Sequence, residues 1–301
     1  MDVAITGASG LIGKALVTAL GRAGHRPIRL VRTPATGTDE IAWDPAKGTI
    51  DRDSLDGVDA VVHLAGAGIG DHRWTAAYKA TVLDSRVQGT TLIATTLAAM
   101  RRPPRALLSG SAVGYYGSRR DEELTEESAA GTGFLAEVCT AWEGATKPAE
   151  AAGIRVVHLR TGVVLSRSGG ALRKQLPLFK WGLGGRMGSG QQWQSWIAIA
   201  DEVGAIVHLL QQDVAGPVNL TAPNPVTNLG FTKALATALR RPVFLPIPSF
   251  GPKLLLGGEL AEALLFTGQR VRPSRLQASG FAFRYPTLEG ALRAELDRSA
   301  A

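Results

Sequence analysis

The chain has 301 residues, 45% of them hydrophobic and 20% charged, which is enough for one large α/β domain with a small appended lobe and too apolar for general disorder. The net charge is +7, from 33 basic and 26 acidic residues. The eight lysines and 25 arginines are spread out, and the tightest groups, Arg101-Arg102, Arg119-Arg120 and Arg240-Arg241, are only pairs, so no nucleic-acid surface is expected.

Asp2 to Thr6 reads as a strand and not as a signal segment. It runs into Gly7-Ala8-Ser9-Gly10-Leu11-Ile12-Gly13. Beyond it Leu11, Ala15, Val17 and Leu20 recur at helical spacing up to Gly24. Residues 27–32 and 58–64 are further strands, the second followed by Ala65-Gly66-Ala67-Gly68. A long helical region spans 75–100, and Arg105 to Ser109 is the next strand. Phe134 to Ala152 reads as one helix, Ile154 to Leu159 as a strand, 201–212 as a helix and Pro217 to Leu220 as a short strand. A last helix falls near 287–297. Between 169 and 190 glycine and proline are dense. Strands alternating with helices require crossover connections and therefore a parallel sheet.

The expected fold is α/β: a doubly wound parallel Rossmann sheet over residues 1–220, with a smaller, partly interleaved C-terminal lobe over 221–301 to which 168–195 contribute. No stretch reaches the ~18 apolar residues of a membrane span, and the single cysteine, Cys139, permits no internal disulfide. A soluble cytoplasmic protein is expected, with no membrane partner.

Gly7, Gly10 and Gly13 have the spacing of a dinucleotide loop. The first glycine permits the turn, the second lets backbone approach a pyrophosphate, and the third lets helix pack on strand. The helix N-terminus then offers free N–H groups to phosphate. A second strand that reads a ribose 2′-hydroxyl ends in an acidic residue. Here it ends in Arg32, and no Asp or Glu occurs between Asp2 and Asp39. A guanidinium there suits a 2′-phosphate, so the expected cofactor is NADP(H). The five histidines lack metal spacing, so no metal site is expected. GxSxG and GxxxxGK[ST] motifs are absent.

The loop Thr6 to Gly13 resembles that of extended short-chain dehydrogenases/reductases, and His63-Leu64-Ala65-Gly66 and Asp84 to Thr90 resemble later motifs of that superfamily. Three further stretches narrow the match: Ser109 to Gly117, Leu159 to Leu165 and Gly188 to Trp193. With Ala222 to Asn228, Arg241-Pro242 and Gly280 to Thr287, they resemble the atypical "epimerase family" subgroup of NAD-dependent epimerase/dehydratase-like proteins, which carries a small C-terminal domain of unknown function. The resemblance covers essentially the whole chain. It implies cofactor contacts from Gly7, Ser9, Gly10, Leu11, Ile12, Gly13, Arg32, Leu64, Ala65, Gly66, Ser109, Thr161, Gly162 and Val163. It also implies an oxidoreductase or epimerase acting on a small carbonyl or nucleotide-sugar-like substrate, and a homodimer by analogy.

The superfamily's Tyr-x-x-x-Lys pair is not found. Four residues after Tyr78, Tyr115, Tyr116 and Tyr285 stand Val82, Arg119, Arg120 and Glu289, and the resemblance places Leu135 and Cys139 at the pair's positions. The catalytic candidates are then Ser111, as a hydrogen-bonding hydroxyl or a turn serine, and Tyr116, as a replacement acid or a packing aromatic. Arg73, Trp74, Arg186, Gln192, Trp193 and Trp196 are expected to line a substrate pocket. The alternative is a non-catalytic NADP(H)-binding regulator or redox sensor acting through a protein partner.

Overall fold

The computed structural model describes residues 1–242 and 246–297. The expected C-terminal lobe thus includes residues 243–245 and 298–301, which lie outside the described ones. Eight strands form the main sheet: β1 (Asp2–Thr6), β2 (Arg26–Val31), β3 (Glu40–Asp44), β4 (Thr49–Ile50), β5 (Ala60–His63), β6 (Ala106–Ala112), β7 (Arg155–Thr161) and β8 (Gly216–Leu220). Their order is β8-β7-β6-β5-β1-β2-β3-β4. Every pairing is parallel except β3 with β4. The order reverses between β1 and β5, and ligands of open α/β sheets bind beyond the strand ends at such a switch point.

Both faces of the sheet are covered, as a parallel sheet requires. Successive side chains of β1 point to opposite faces. Val3 and Ile5 join Leu16 and Leu20 of α1 (Leu11–Arg22) in one core. Ala4 joins Ile93 and Leu97 of α2 (Ala76–Ala98) in the other. The segment expected as one helix over 134–152 is two, α3 (Phe134–Gly144) and α4 (Lys147–Ala151). Pro148 lies in the first turn of the second, where its missing N–H costs least.

The glycine- and proline-dense stretch contains α5 (Gly170–Lys180), which the sequence pattern did not reveal. Beyond it come α6 (Ile199–Gln211), α7 (Asn228–Leu239), α8 (Phe250–Leu256) and α9 (Leu288–Leu296). Leu172, Leu176, Phe231, Leu235, Leu288 and Leu292 of α5, α7 and α9 build a third core around Trp196. Two small pairings tie this region to the sheet domain, Trp196–Ala198 with Val163–Leu165 and Arg270–Val271 with Glu123–Leu124, and a third, Trp193–Gln194 with Val226–Thr227, lies within it. Among the described residues no helix is long and apolar enough to cross a membrane.

Candidate functional site

The glycine loop closes the end of β1 onto α1. Gly7 has φ +67, and a Cβ there would sit 2.9 Å from the Leu64 carbonyl carbon. The Gly10 N–H donates to Gly7 O at 2.9 Å. A Cβ on Gly13 would sit 2.2 Å from Gly7 O, so the third glycine is what allows the helix to start so close to the strand. The N-cap, Gly10, supplies no capping side chain, and no acidic residue occupies the first turn. The leading N–H groups therefore face outward for an anion. Thr6 Oγ1 accepts from Leu64 N (3.0 Å) and Ala65 N (3.1 Å), and its own proton goes to His63 Nδ1 at 2.8 Å. Burial, with Arg86 nearby, pushes His63 down to about 4, so the ring is neutral and acts as an acceptor.

A cleft of about 410 Å³ opens at this loop. It brings together Gly7, Gly10, Leu11, Ile12 and Gly13 with Leu64 just past β5, Thr161 at the end of β7, Val163 beyond it, and Ser111 beside Trp142. Arg32 stands exposed just past β2, and its side chain makes no ion pair or hydrogen bond among the described residues. Ser9, Ala65 and Gly66 lie in the loops that follow β1 and β5 and do not line the cleft. Ser109 is wholly buried within β6. Gly162 is needed for packing, since a Cβ there would come within 2.5 Å of Ser195 O. A larger cleft of about 640 Å³ among the ends of α5, α7 and α9 shares none of these residues. Its Lys180 and Arg241 sit where cations complement helix C-terminal dipoles.

Ser111 is 5% exposed, and its hydroxyl donates to Glu143 Oε1 at 2.7 Å. Glu143 is gripped by Arg160, Nε to Oε1 at 2.8 Å and Nη2 to Oε2 at 2.9 Å. Burial works against the Arg160 charge, but the Glu143 carboxylate outweighs it and raises the guanidinium pKa. Arg160 Cζ lies 3.4 Å from the Tyr115 ring centre. Glu143 and Arg160 were not among the expected site residues. The signal available was the helical spacing of Cys139 and Glu143 on one face of α3.

Of its two expected roles, replacement acid or packing aromatic, Tyr116 has the packing one. Tyr116 is wholly buried. Its hydroxyl donates to Asn219 Oδ1 at 2.7 Å and accepts from Arg160 Nη1 at 3.0 Å, and burial pushes it up to about 12. With both roles filled and no face toward solvent, it anchors Arg160 and is not placed to protonate a substrate. Leu135 and Cys139 pack on Gly114, and burial pushes the Cys139 thiol up to about 11, away from thiolate chemistry.

The polar atoms of the six pocket candidates bind the chain itself. Arg73 caps α8 through Leu254 O (2.7 Å) and Leu255 O (3.2 Å). Trp74 donates to Ile69 O, Arg186 to Gly188 O, and Gln192 to Met187 O and Leu265 O. Trp193 donates to Asp121. Trp196 is 1% exposed and donates to Asn224 O, so it is a core residue. Arg73, Gln192 and Trp193 tie together segments far apart in the chain.

Glu202, in the first turn of α6, is fully buried and takes the Thr161 hydroxyl at 2.9 Å. Burial pushes its carboxyl up to about 8, so it is neutral in the folded chain at pH 7. The unfolded chain releases this proton near the ordinary carboxylate pKa, whereas the folded chain keeps it to about 8. Stability therefore falls as pH rises through that window. Glu202→Gln removes the dependence and is expected to be more stable than the wild type by roughly 3 kcal/mol at pH 7 and no more stable near pH 4. Denaturant unfolding at the two pH values checks this, and an equal difference at both overturns it.

A doubly wound sheet with a glycine-loop cleft at its switch point defines a dinucleotide-binding protein of the short-chain dehydrogenase type. Family comparison agrees. The model of the NAD dependent epimerase/dehydratase family matches residues 3–222, and a domain of unknown function, DUF1731, matches 247–295. The chain belongs to the NAD-dependent epimerase/dehydratase family. It is 46% identical over 291 residues to an epimerase family protein of Mycobacterium bovis, covering 96% of each. The crystal structure of human epimerase family protein SDR39U1 with NADPH is similar at TM-score 0.90 and 35% identity, covering 98% of both chains. A nucleoside-diphosphate sugar epimerase from Corynebacterium glutamicum matches at TM-score 0.81 and 40% identity, over 98% of this chain and 58% of the other.

Proposed function

We propose that this chain is an NADP(H)-dependent oxidoreductase or epimerase acting on a hydroxyl or carbonyl of a small or nucleotide-sugar-like substrate. The observation that carries the reading is Ser111, at the glycine-loop cleft with its hydroxyl held on Glu143. The human relative's NADPH and the exposed Arg32 favour the phosphorylated cofactor. Gly7, Gly10 and Gly13 with the α1 N-terminus would hold the pyrophosphate, and Arg32 the 2′-phosphate. When bound, the cofactor supplies a hydride donor or acceptor.

The chain's own residues manage the proton. Because Ser111 gives its hydrogen to Glu143, its lone pairs face the cleft and accept a hydrogen bond from a substrate hydroxyl. Arg160 holds Glu143 in place, and Glu143 takes the Ser111 proton as Ser111 takes the substrate's.

Titration of the purified protein with NADPH and NADH comes first. A preference for NADPH of at least about tenfold, or 1.4 kcal/mol, is expected, and Arg32→Ala should remove it while leaving NADH binding unchanged. Turnover is then sought with a panel of carbonyl compounds and nucleotide sugars, and Ser111→Ala is expected to lower it by roughly 10²–10⁴. Tight NADPH binding with no hydride exchange on any substrate would overturn the catalytic reading in favour of the regulator, whose affinity for a partner should then follow the cofactor's redox state.

A further inference from the structure

Glu143 does not end the polar network. Behind it, away from the cleft, lie His158, Thr146 and Glu150. The Glu143 Oε2 to His158 Nδ1 distance is 3.9 Å. His158 Nε2 sits 2.9 Å from Thr146 Oγ1, and the one Thr146 hydroxyl proton has two acceptors in reach, Glu143 O at 2.7 Å and Glu150 Oε1 at 3.0 Å. A second contact, His158 Nε2 to Glu150 Oε1, measures 3.5 Å. The two inner members are buried, Thr146 wholly and His158 to 9% exposure. The Glu150 side chain, by contrast, is 45% exposed.

The placement follows from two periodicities. Val156, His158 and Arg160 are alternate residues of β7 and so share one face. Along that face the side chains pass from apolar to polar toward the cleft. Glu143, Thr146 and Glu150 are spaced i, i+3 and i+7 across the α3–α4 junction, one side of a helix. Face meets side along a line that runs from Ser111 to solvent. A valine at 158 and an alanine at 146 would fill the space without burying polar groups, whose burial costs unless each finds a partner.

We infer that Ser111, Glu143, His158, Thr146 and Glu150 form a proton relay between the cleft and bulk water, serving the proton transfer that the proposed function assigns to Ser111. The steps balance. The substrate O–H breaks as a new O–H forms on Ser111, whose own proton passes to Glu143. Neutral Glu143 passes its proton to His158 Nδ1 across the one link longer than a hydrogen bond. The Nε2 proton of His158 moves through Thr146 to Glu150, which releases it to water. One proton leaves the substrate and one enters solvent, and no side chain is oxidised or reduced. The reverse sequence delivers a proton.

The charged groups facing His158 suit it to this position. Burial lowers its pKa and Glu143 and Glu150 oppose that, with Arg160 adding to the lowering, so the ring returns to neutrality after each transfer.

The test needs no substrate. In ¹⁵N-labelled protein the His158 ring, assigned with His158→Gln, is expected as the Nε2–H tautomer. Its ring proton should exchange with water fast for so buried a group, and Glu150→Ala, a change at an exposed position, should slow that exchange by roughly tenfold or more. Slow exchange in the wild type, or exchange indifferent to Glu150→Ala, overturns the relay while leaving the proposed function intact. With a turned-over substrate, Glu150→Ala should lower kcat with KM unchanged and enlarge the solvent isotope effect, and unchanged kcat also overturns the relay. Fast, Glu150-dependent exchange in a protein that turns over nothing would instead count against the proposed function and show the wire standing alone.

Discussion

Arg160→Met is expected to lower unfolding stability by about 3–5 kcal/mol, more than any other single change in the buried network. The Arg160 side chain is 4% exposed and that of Glu143 is 11%, so the substitution leaves a carboxylate in low dielectric without its cation. It also strips the Tyr116 hydroxyl of a donor and removes the guanidinium that stacks on Tyr115. Glu143→Gln in the same background should recover part of the loss, because the uncompensated charge disappears with it. The shortfall from additivity measures the coupling. Chemical denaturation of the two single variants and the double variant checks this, and a loss below about 1 kcal/mol for Arg160→Met would mean that water already reaches the pair. The result also bears on function, since the pair sets the position of the Ser111 proton.

The glycine loop, Arg32 at the strand end and the alternation of strands with helices were legible because each follows from local rules: a turn needs glycine, a buried parallel strand needs a continuous apolar run, and a crossover needs a helix. β3 and β4 escaped because Glu40–Asp44 begins and ends in acids and shows only Ile41, Ala42 and Trp43 between them. α5 escaped because Pro177 lies inside it and glycines crowd both ends. The site divided along the same line. The cleft residues Gly7, Gly10, Leu11, Ile12, Gly13, Leu64, Thr161 and Val163 come from short motifs at strand ends and were among those expected. The Ser111–Glu143–Arg160 cluster depends on three elements meeting at set registers, and neither Glu143 nor Arg160 carries a local mark. The inward placement of Tyr116 and Trp196 was not legible for a related reason: residue type suggests a ligand contact, but only packing shows whether the polar atom faces a cleft or another part of the chain.

Gly13→Ala is expected to leave little or no folded protein, while Gly21→Ala in the same helix should stabilise the fold by up to about 1 kcal/mol. Both substitutions add one methyl group to α1, and both are favourable by helix propensity alone. At Gly21 a Cβ meets nothing within 4 Å, so only the propensity gain is left. At Gly13 it would lie 2.2 Å from Gly7 O and 2.7 Å from Ala8 Cα. Both are backbone atoms of the loop itself, so no side-chain rotation relieves the clash. The helix must back away from β1, which opens the core that Leu16 and Leu20 share with Val3 and Ile5 and adds a cavity cost to the strain. Gly10→Ala is intermediate, with a Cβ 3.2 Å from Gly7 O. That chain should fold, but its methyl group stands where a pyrophosphate must approach, so NADPH affinity should drop while thermal stability changes little. Thermal unfolding of the three variants beside NADPH titration separates the roles. If Gly13→Ala folded as well as Gly21→Ala, the loop would have to be able to shift as a unit, and the close helix–strand contact on which the cleft depends would not be fixed by the third glycine.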